Sequence, residues 1–368
     1  MYLQKLSVIN FKNYAEAELT FSDGVNAFTG DNGAGKTNLL DAIHYLSLCK
    51  SYFNPIDSQQ IKQDTDFFII NGVFNKNDHE EMIACAVKRN QKKQFKRNKK
   101  DYQRLADHIG LFPLVMISPY DTSIITEGSD ERRKFIDNVL SQTDNFYLDE
   151  VIIYNKILNN RNAFLKLIAD TGRYDPQLLE VMDEQLIAAG SSIFKKRKLF
   201  MESFTEIFNK HYQFLTGDAE RVELIYESQL LDDDLATLLK RTIERDRVLE
   251  RTTAGIHKDD LQFVIHGMSM KKFGSQGQQK SFLIALKLAQ YTFLNQQKGF
   301  KPLLLLDDIF DKLDDKRVTK LMQMVSDNDF GQVFITDTNM SRVQGIFSEM
   351  GVAIKLFKVT GGEVDAQG

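Results

Sequence analysis

Hydrophobic and polar positions change rhythm along the chain. The first stretch alternates. Lys5-Leu6-Ser7-Val8-Ile9-Asn10-Phe11 and Ala17-Glu18-Leu19-Thr20-Phe21 carry apolar groups at every second position, which predicts two antiparallel strands. Val25-Asn26-Ala27-Phe28-Thr29 reads as a short buried strand. From Thr37 to Cys49 the period becomes helical, with Leu39, Leu40, Ile43, Leu46 and Leu48 apolar. Alternation returns in 67–74 and 82–87. Residues 88–100 then hold eight Lys or Arg, and Asn98-Lys99-Lys100-Asp101 suggests a hairpin turn among them.

Between about Pro119 and Thr216 the pattern is helical. Ser129-Asp130-Glu131 is a helix start with acids in its first turn. Leu148, Val151, Ile152, Leu158, Leu165 and Ile168 are read as one face, and residues 170–176 as a turn by composition. Leu178, Met182, Leu186, Ala189, Ile193, Phe200, Phe204 and Ile207 mark a second stripe; unbroken, that helix would run about 35 residues, or roughly 50 Å. Two such helices make either an antiparallel arm or a compact helical subdomain. From Asp260 the α/β character resumes. Pro302-Leu303-Leu304-Leu305-Leu306-Asp307 has the uniformly apolar look of a parallel-sheet strand, as does Gln332-Val333-Phe334-Ile335-Thr336, and a short polar end follows Thr360. The expected organisation is 1–117, a head; 118–260, an inserted mainly helical domain; and 261–368, the rest of the head.

Candidate chemistry sits where a strand gives way to a helix. Gly30-Asp31-Asn32-Gly33-Ala34-Gly35-Lys36-Thr37 reads G-x-x-x-x-G-K-T, a phosphate-binding loop. Its glycines let successive N–H groups turn inward on a polyphosphate. Lys36 supplies charge for the β- and γ-phosphates, Thr37 offers a hydroxyl to Mg²⁺, and the following helix adds its dipole. The flanking strand and helix are the context the motif requires. A carboxylate at the end of a buried strand is its usual partner, so Asp307 is assigned to the cation. Asp308 is placed to orient or deprotonate the attacking water, or else it supports a neighbour or caps a helix. Ser275 can cap the helical run beginning near Phe282, and Gly277 would let a phosphate approach its N–H groups.

Composition narrows the setting. The chain has 368 residues, 42% hydrophobic and 27% charged, enough for a large core and for two domains. Its net charge of −4 offers no global basic field, so contact with nucleic acid must be local. Cys49 and Cys85 are the two cysteines and have no metal or redox spacing, which suggests a reducing compartment. No stretch reaches 18 apolar residues, and Met1–Lys5 leads into no long apolar run, so a cytoplasmic location is expected.

Taken together, these motifs resemble the ABC-type ATPase head: a P-loop mixed sheet with an antiparallel β subdomain, here with an inserted α-helical arm. Gly30–Thr37 is similar to its Walker A loop and Leu303–Asp308 to its Walker B strand. Ser275-Gln276-Gly277-Gln278 is similar to its signature, with Gln276 in place of a glycine, and Asp311-Lys312-Leu313-Asp314 stands where such heads have a D-loop. Lys36 and Asp307 lie about 270 residues apart, far more than a transporter ATPase needs and far less than an SMC-type coiled coil. Local patterns across nearly the whole length resemble the RecF family of bacterial recombination mediators. They are Ile9-Asn10-Phe11-Lys12-Asn13-Tyr14, the stretch from Gly35 to Ile43, Ser118-Pro119, Glu131 to Asp137, Arg251 to Asp260, and Ser275 to Lys280. The departures are Ile256 for a proline, Lys258 for an arginine and Ser51-Tyr52-Phe53 for Ser-Phe-Arg. The transporters' switch histidine is missing, with Thr336-Asp337 in its place, so no γ-phosphate sensor is assigned.

The resemblance implies ATP and Mg²⁺ as ligands, and weak, DNA-responsive ATP hydrolysis used as a switch. ATP would drive a head-to-head homodimer in which Ser275, Gly277 and Gln278 of one copy meet the nucleotide of the other. It implies association with single-stranded, gapped or junction DNA, and cooperation with RecO and RecR to load RecA in repair, recombination, replication and SOS induction. Two alternatives remain open: an ABC-type engine coupled to another protein, and a nucleotide-gated scaffold with negligible hydrolysis, since Asp308 is shorter than a glutamate. For DNA contact the candidates are Lys88, Arg89, Lys92, Lys93, Lys96, Arg97, Lys99 and Lys100; the other reading is an edge hairpin protected by its lysines. Lys195, Lys196, Arg197 and Lys198 form a second basic group, read as DNA-facing or as an exposed helix face. His257 is either a turn residue or an interface residue.

Overall fold

The structure, a computed structural model, describes residues 1–172, 174–217, 220–310, 315–327 and 329–367; Asp311–Asp314 therefore lie outside the described residues. The chain divides into two compact units. The first comprises residues 1–122, 214–216 and 280–368, and the second 123–213 and 217–279.

The first unit is built on two six-stranded sheets. One is antiparallel and runs β2 (Tyr14–Thr20), β1 (Tyr2–Phe11), β4 (Phe67–Lys76), β5 (His79–Lys88), β6 (Gln94–Arg97), β7 (Lys100–Asp101). The predicted N-terminal pair is present in antiparallel register, with Leu6 opposite Leu19. The basic hairpin turns at Asn98 and Lys99, both at positive φ. The other sheet runs β15 (Glu363–Gln367), β14 (Ile354–Thr360), β3 (Val25–Thr29), β13 (Val333–Asp337), β12 (Leu303–Leu306), β8 (Leu114–Ile117). Its five inner and edge strands from β14 to β8 are parallel, and β15 returns antiparallel along β14. The polar end after Thr360 is thus a strand, its exposed side chains suiting an edge position. Strands β3, β8, β12 and β13 are buried throughout, which accounts for their unalternating apolar sequences.

Helix α1 (Lys36–Leu48) fills the space between the sheets and is buried on nearly every side. Phe21, Phe28, Phe334 and Phe357 interlock beneath it; Phe21 meets Phe334 edge-on at 4.9 Å, and Phe28 stacks on Phe334 at 6.2 Å. Each fully buried Phe contributes about 1.5–3 kcal/mol, so this cluster anchors the strand from which the phosphate loop springs.

The second unit is helical, with a sheet of its own. Helix α2 (Ser123–Thr126) leads into α3 (Ser129–Thr143), α4 (Asn145–Thr171) and α5 (Pro176–Thr216). Asp144 caps α4 through the amides of Phe146 and Tyr147, Gly172 ends it at φ 68°, and Asp175 caps α5 with Pro176 in its first turn. At 41 residues, α5 is longer than the stripe predicts and spans about 60 Å. Pairing of Arg161 with Asp183 and of Asp144 with Lys196 shows that α4 and α5 run antiparallel. Helix α6 (Leu235–Leu249) joins them through Arg161 and Asp246, so the arm is part of a compact subdomain. Its sheet is β11 (Met268–Ser269), β10 (Asp260–Ile265), β9 (Val222–Glu227). The α/β character that resumes at Asp260 therefore belongs first to this sheet. After α7 (Met270–Phe273), α8 (Gln276–Lys298) leads to β12; α9 (Asp315–Ser326) and α10 (Met340–Glu349) follow β12 and β13.

The phase of α4 differs from the predicted one. Its buried residues are Tyr147, Glu150, Tyr154, Ile157, Leu158, Arg161, Leu165 and Ile168, whereas Ile152 is 49% exposed. The inward face carries Tyr and Arg side chains whose polar ends are bonded internally, so an apolar count misplaces it. On α5, likewise, Leu179 rather than Leu178 is buried.

Candidate nucleotide site

The phosphate loop leaves the buried end of β3. Gly30 lies at φ 156°, and a Cβ there would sit 2.1 Å from the Val359 carbonyl oxygen of β14. Its N–H bonds the Asp337 carbonyl at 3.3 Å, tying the loop to β13. Asp31, Asn32 and Gly33 form the exposed tip, Ala34 and Gly35 turn back into the core, and α1 starts at Lys36.

The turn between β1 and β2 braces this loop. Asn13 Nδ2 donates to the Ala34 carbonyl at 3.0 Å, and its Oδ1 accepts from Asn38 Nδ2 at 2.7 Å. Tyr14 donates its hydroxyl to the Gly35 carbonyl at 3.0 Å. Gly35 lies at φ 118°, and a Cβ there would meet Asn13 Nδ2 at 2.4 Å and the Tyr14 hydroxyl at 2.8 Å, so only glycine fits. Lys12 pairs with the buried Asp41 of α1 at 2.5 Å, and Asp41 also accepts from Ser51 Oγ at 2.6 Å and from the Tyr52 amide at 2.7 Å. Ser51 and Tyr52 thereby fasten the segment after α1.

The Lys36 ammonium is folded into its own loop, donating to the carbonyls of Gly30 at 2.8 Å and Asp31 at 3.0 Å. Thr37 Oγ1 donates to Asp307 Oδ1 at 2.8 Å, closing 270 residues of sequence separation. The same oxygen accepts from Thr336 Oγ1 at 2.9 Å, and Oδ2 accepts from Ser118 Oγ at 3.4 Å. Burial, the largest influence, raises the Asp307 carboxyl above the ordinary carboxylate range; the hydroxyls of Thr37 and Thr336 oppose it, and Asp308 reinforces it. Such a carboxylate gains from an adjacent cation. A hydroxyl and a carboxylate oxygen 2.8 Å apart are hard donors suited to Mg²⁺. Among the described residues no group of three or more His, Cys, Asp or Glu could hold a metal, so a cation here would rely on phosphate and water oxygens, as Mg²⁺ commonly does. Asp308 follows at φ 46°, a left-handed conformation, its N–H bonded to Thr336 Oγ1 at 2.9 Å.

Thr37, Asp307 and Asp308 are therefore gathered as the sequence predicts. Asn13, Tyr14, Ser118 and Thr336 join the site without a motif of their own in the sequence. The available signal is positional: Ser118 directly follows β8 and Thr336 is the penultimate residue of β13, the strands on either side of the one that leads to Asp307.

Ser275, Gly277 and Gln278 lie in the second unit, around the start of α8. Ser275 and Gln278 form a reciprocal cap: the Gln278 amide donates to Ser275 Oγ at 3.2 Å, and the Ser275 amide to Gln278 Oε1 at 2.8 Å. Gln278 Nε2 also donates to Glu220 Oε1 at 2.9 Å. Ser275 and Gln276 remain exposed.

The basic groups are only partly solvated. In the hairpin, Lys93 pairs with Asp57 at 2.9 Å, Arg97 with Glu81 at 2.5 Å and Lys96 with Asp101 at 3.7 Å, while Lys88, Arg89, Lys92, Lys99 and Lys100 are exposed. Arg197 is not on an exposed helix face. It is 2% exposed and bonds Asp137, Asp259, the Ile256 carbonyl and the Tyr147 hydroxyl, all within 3.1 Å. Its neighbour Lys196 pairs with Asp144. His257 bonds the Tyr154 hydroxyl at 2.8 Å and the Thr252 carbonyl at 3.1 Å, and burial lowers it to about 4. Both bonds and the lowered value favour an uncharged imidazole that ties the turn to α4.

A parallel sheet feeding a glycine-lined loop into a helix, with a strand-end carboxylate bonded to the loop's threonine, is the core of a P-loop fold, and the antiparallel sheet in the same unit makes it an ABC-type ATPase head. The family model described as "RecF/RecN/SMC N terminal domain" matches residues 2–364. The DNA replication and repair protein RecF of Flavobacterium johnsoniae is 52% identical over 98% of this chain and 100% of its own length. That of Parabacteroides distasonis is 51% identical over 99% of each. The solved structure titled as the recombination mediator protein RecF-ATP in the RecFOR pathway is 32% identical, covering 100% of this chain and 98% of that one at a TM-score of 0.90. An SMC head from Pyrococcus furiosus, at 17% identity and a TM-score of 0.58, shares the fold. This chain belongs to the RecF family.

Proposed function

We propose that this protein is an ATP-switched DNA-binding mediator of recombination, acting in the cytoplasm in replication, gap repair and SOS induction. The observation that carries the nucleotide part is the 2.8 Å bond from Thr37 to Asp307, which joins loop and strand end into one oxygen-lined site. ATP binds at Gly30–Thr37, with Lys36 against its β- and γ-phosphates. Thr37 and Asp307 hold Mg²⁺, which when bound neutralises charge developing on the phosphates. Asp308 orients the attacking water. One carboxylate methylene shorter than glutamate suits slow turnover, hence a weak ATPase used as a switch.

ATP also joins two copies, the exposed Ser275 with Gly277 and Gln278 of one copy completing the nucleotide site of the other. The dimer closes on single-stranded, gapped or junction DNA and works with RecO and RecR to load RecA. The named functions and ATP complex of its relatives support this reading. Lys36→Ala removes the phosphate counter-charge, so sedimentation velocity with ATP and Mg²⁺ should show a dimer for the wild type and a monomer for the variant. A variant that dimerises normally would overturn the ATP-driven dimer. Binding to duplex, single-stranded and gapped DNA, with and without ATP, tests the DNA part; affinities indifferent to ATP would refute the switch.

A further inference from the structure

We infer that Thr336 is a positioning residue for the Asp307–Asp308 pair, its hydroxyl setting both the cation-binding oxygens and the backbone of the water-orienting acid. The inference rests on the ATP–Mg²⁺ reading above.

Thr336 lies near the end of β13, fully buried, on the strand between β3 and β12. Its single hydroxyl serves two neighbours. The proton goes to Asp307 Oδ1 at 2.9 Å, and the oxygen accepts from the Asp308 amide at 2.9 Å. Those two bonds have different consequences. The first fixes the rotation of the Asp307 carboxylate. Thr37 donates to the same oxygen, and its lone pairs stay available to a cation while it does so. Ser118 reaches the other oxygen at 3.4 Å, a longer contact. Thr336 is then the short bond to Asp307 whose hydroxyl is not itself a cation ligand.

The second bond holds a residue in the left-handed region. Asp308 stands at φ 46°, a conformation that Asp tolerates but most residues with a Cβ avoid. The amide bond to Thr336 satisfies the N–H in that conformation and so fixes the direction in which the Asp308 side chain leaves the strand. A hydroxyl that only filled core space would need neither geometry, and valine would replace it.

The test compares Thr336→Val, which keeps the branched shape and removes the hydroxyl, with Thr336→Ser, which keeps the hydroxyl. Mn²⁺ bound with nucleotide is read by electron paramagnetic resonance, nucleotide binding without metal by fluorescence titration, and turnover by phosphate release. Losing an outer support of a metal ligand commonly weakens metal affinity or activity by about 10–100-fold. Thr336→Val should therefore weaken Mn²⁺ binding and turnover by that order, bind metal-free nucleotide as the wild type does, and be rescued by Thr336→Ser. Wild-type Mn²⁺ affinity and turnover in Thr336→Val would overturn the inference, as would an equal defect in Thr336→Ser. Asp307→Asn separates the two readings: if it too leaves Mn²⁺ binding intact, the ATP–Mg²⁺ assignment fails; if it alone abolishes binding, only the role of Thr336 fails.

Discussion

Gly35→Ala tests the physical basis of the phosphate loop. The new Cβ would lie 2.4 Å from Asn13 Nδ2 and 2.8 Å from the Tyr14 hydroxyl, on a backbone at φ 118°. Backbone strain of this kind costs about 1–3 kcal/mol. Relieving the contacts displaces the Asn13 bond to Ala34 and the Tyr14 bond to Gly35, each worth about 1 kcal/mol net. A penalty of about 3 kcal/mol corresponds to roughly a 100-fold weaker Kd if the loop must be forced back to bind phosphate. Isothermal titration with a slowly hydrolysed ATP analogue measures it. Asn13→Ala in the Gly35→Ala background removes the nearest obstructing atom while leaving the strain. The pair should be non-additive, the double variant recovering part of the lost affinity. A Kd for Gly35→Ala within about threefold of wild type, worth less than 1 kcal/mol, would refute the argument. So would a double variant no better than the single one.

Three further outcomes are expected. Ser275→Arg loses a helix cap worth about 1 kcal/mol; it should bind ATP normally and stay monomeric in sedimentation, and loss of ATP binding together with dimerisation would make Ser275 purely structural. Arg161→Met leaves Asp246 uncompensated in a fully buried site at which Arg161 now sits 2.7 Å away; breaking such a pair costs about 3–5 kcal/mol, and calorimetry should show a drop of roughly 6–20 °C in the Tm of the second unit, a drop under about 2 °C being contrary. His108 is held down to about 4 from 6.5 by burial, so between those values the unfolded chain binds the proton and the folded one does not; stability should fall as pH drops through this window, and urea midpoints of His108→Asn should fall less steeply than those of the wild type.

Much of this architecture is legible in the sequence because its causes are local. Strand β3 and helix α1 begin and end within a residue of the positions that hydrophobic period predicts. The elements that escaped notice lack a local signal. Leu114–Ile117 is only four residues long, and Glu363–Gln367 is polar because an edge strand keeps its side chains in water. The face of α4 is not legible because Arg161 points inward and Ile152 outward, the reverse of what polarity alone suggests. Polarity places Arg197 on the surface for the same reason, since its carboxylate partners Asp137 and Asp259 lie 60 and 62 residues away. A buried charge is recognisable only once its counter-charges are in place.

The division between sequence and tertiary structure is sharpest at the site itself. Residues Gly30 to Thr37 suffice to announce a phosphate loop, because consecutive N–H groups and a helix start are made from adjacent residues. The sequence also contained Asp307, at the end of an apolar run. That Asp307 meets Thr37, that Thr336 joins Asp307 to Asp308, and that Asn13 and Tyr14 hold the loop in shape were decided by strand order, which sets β13 between β3 and β12 and the β1–β2 turn against the loop. Hydrogen bonds act over about 3 Å, and only the packed sheets bring groups up to 270 residues apart within that reach.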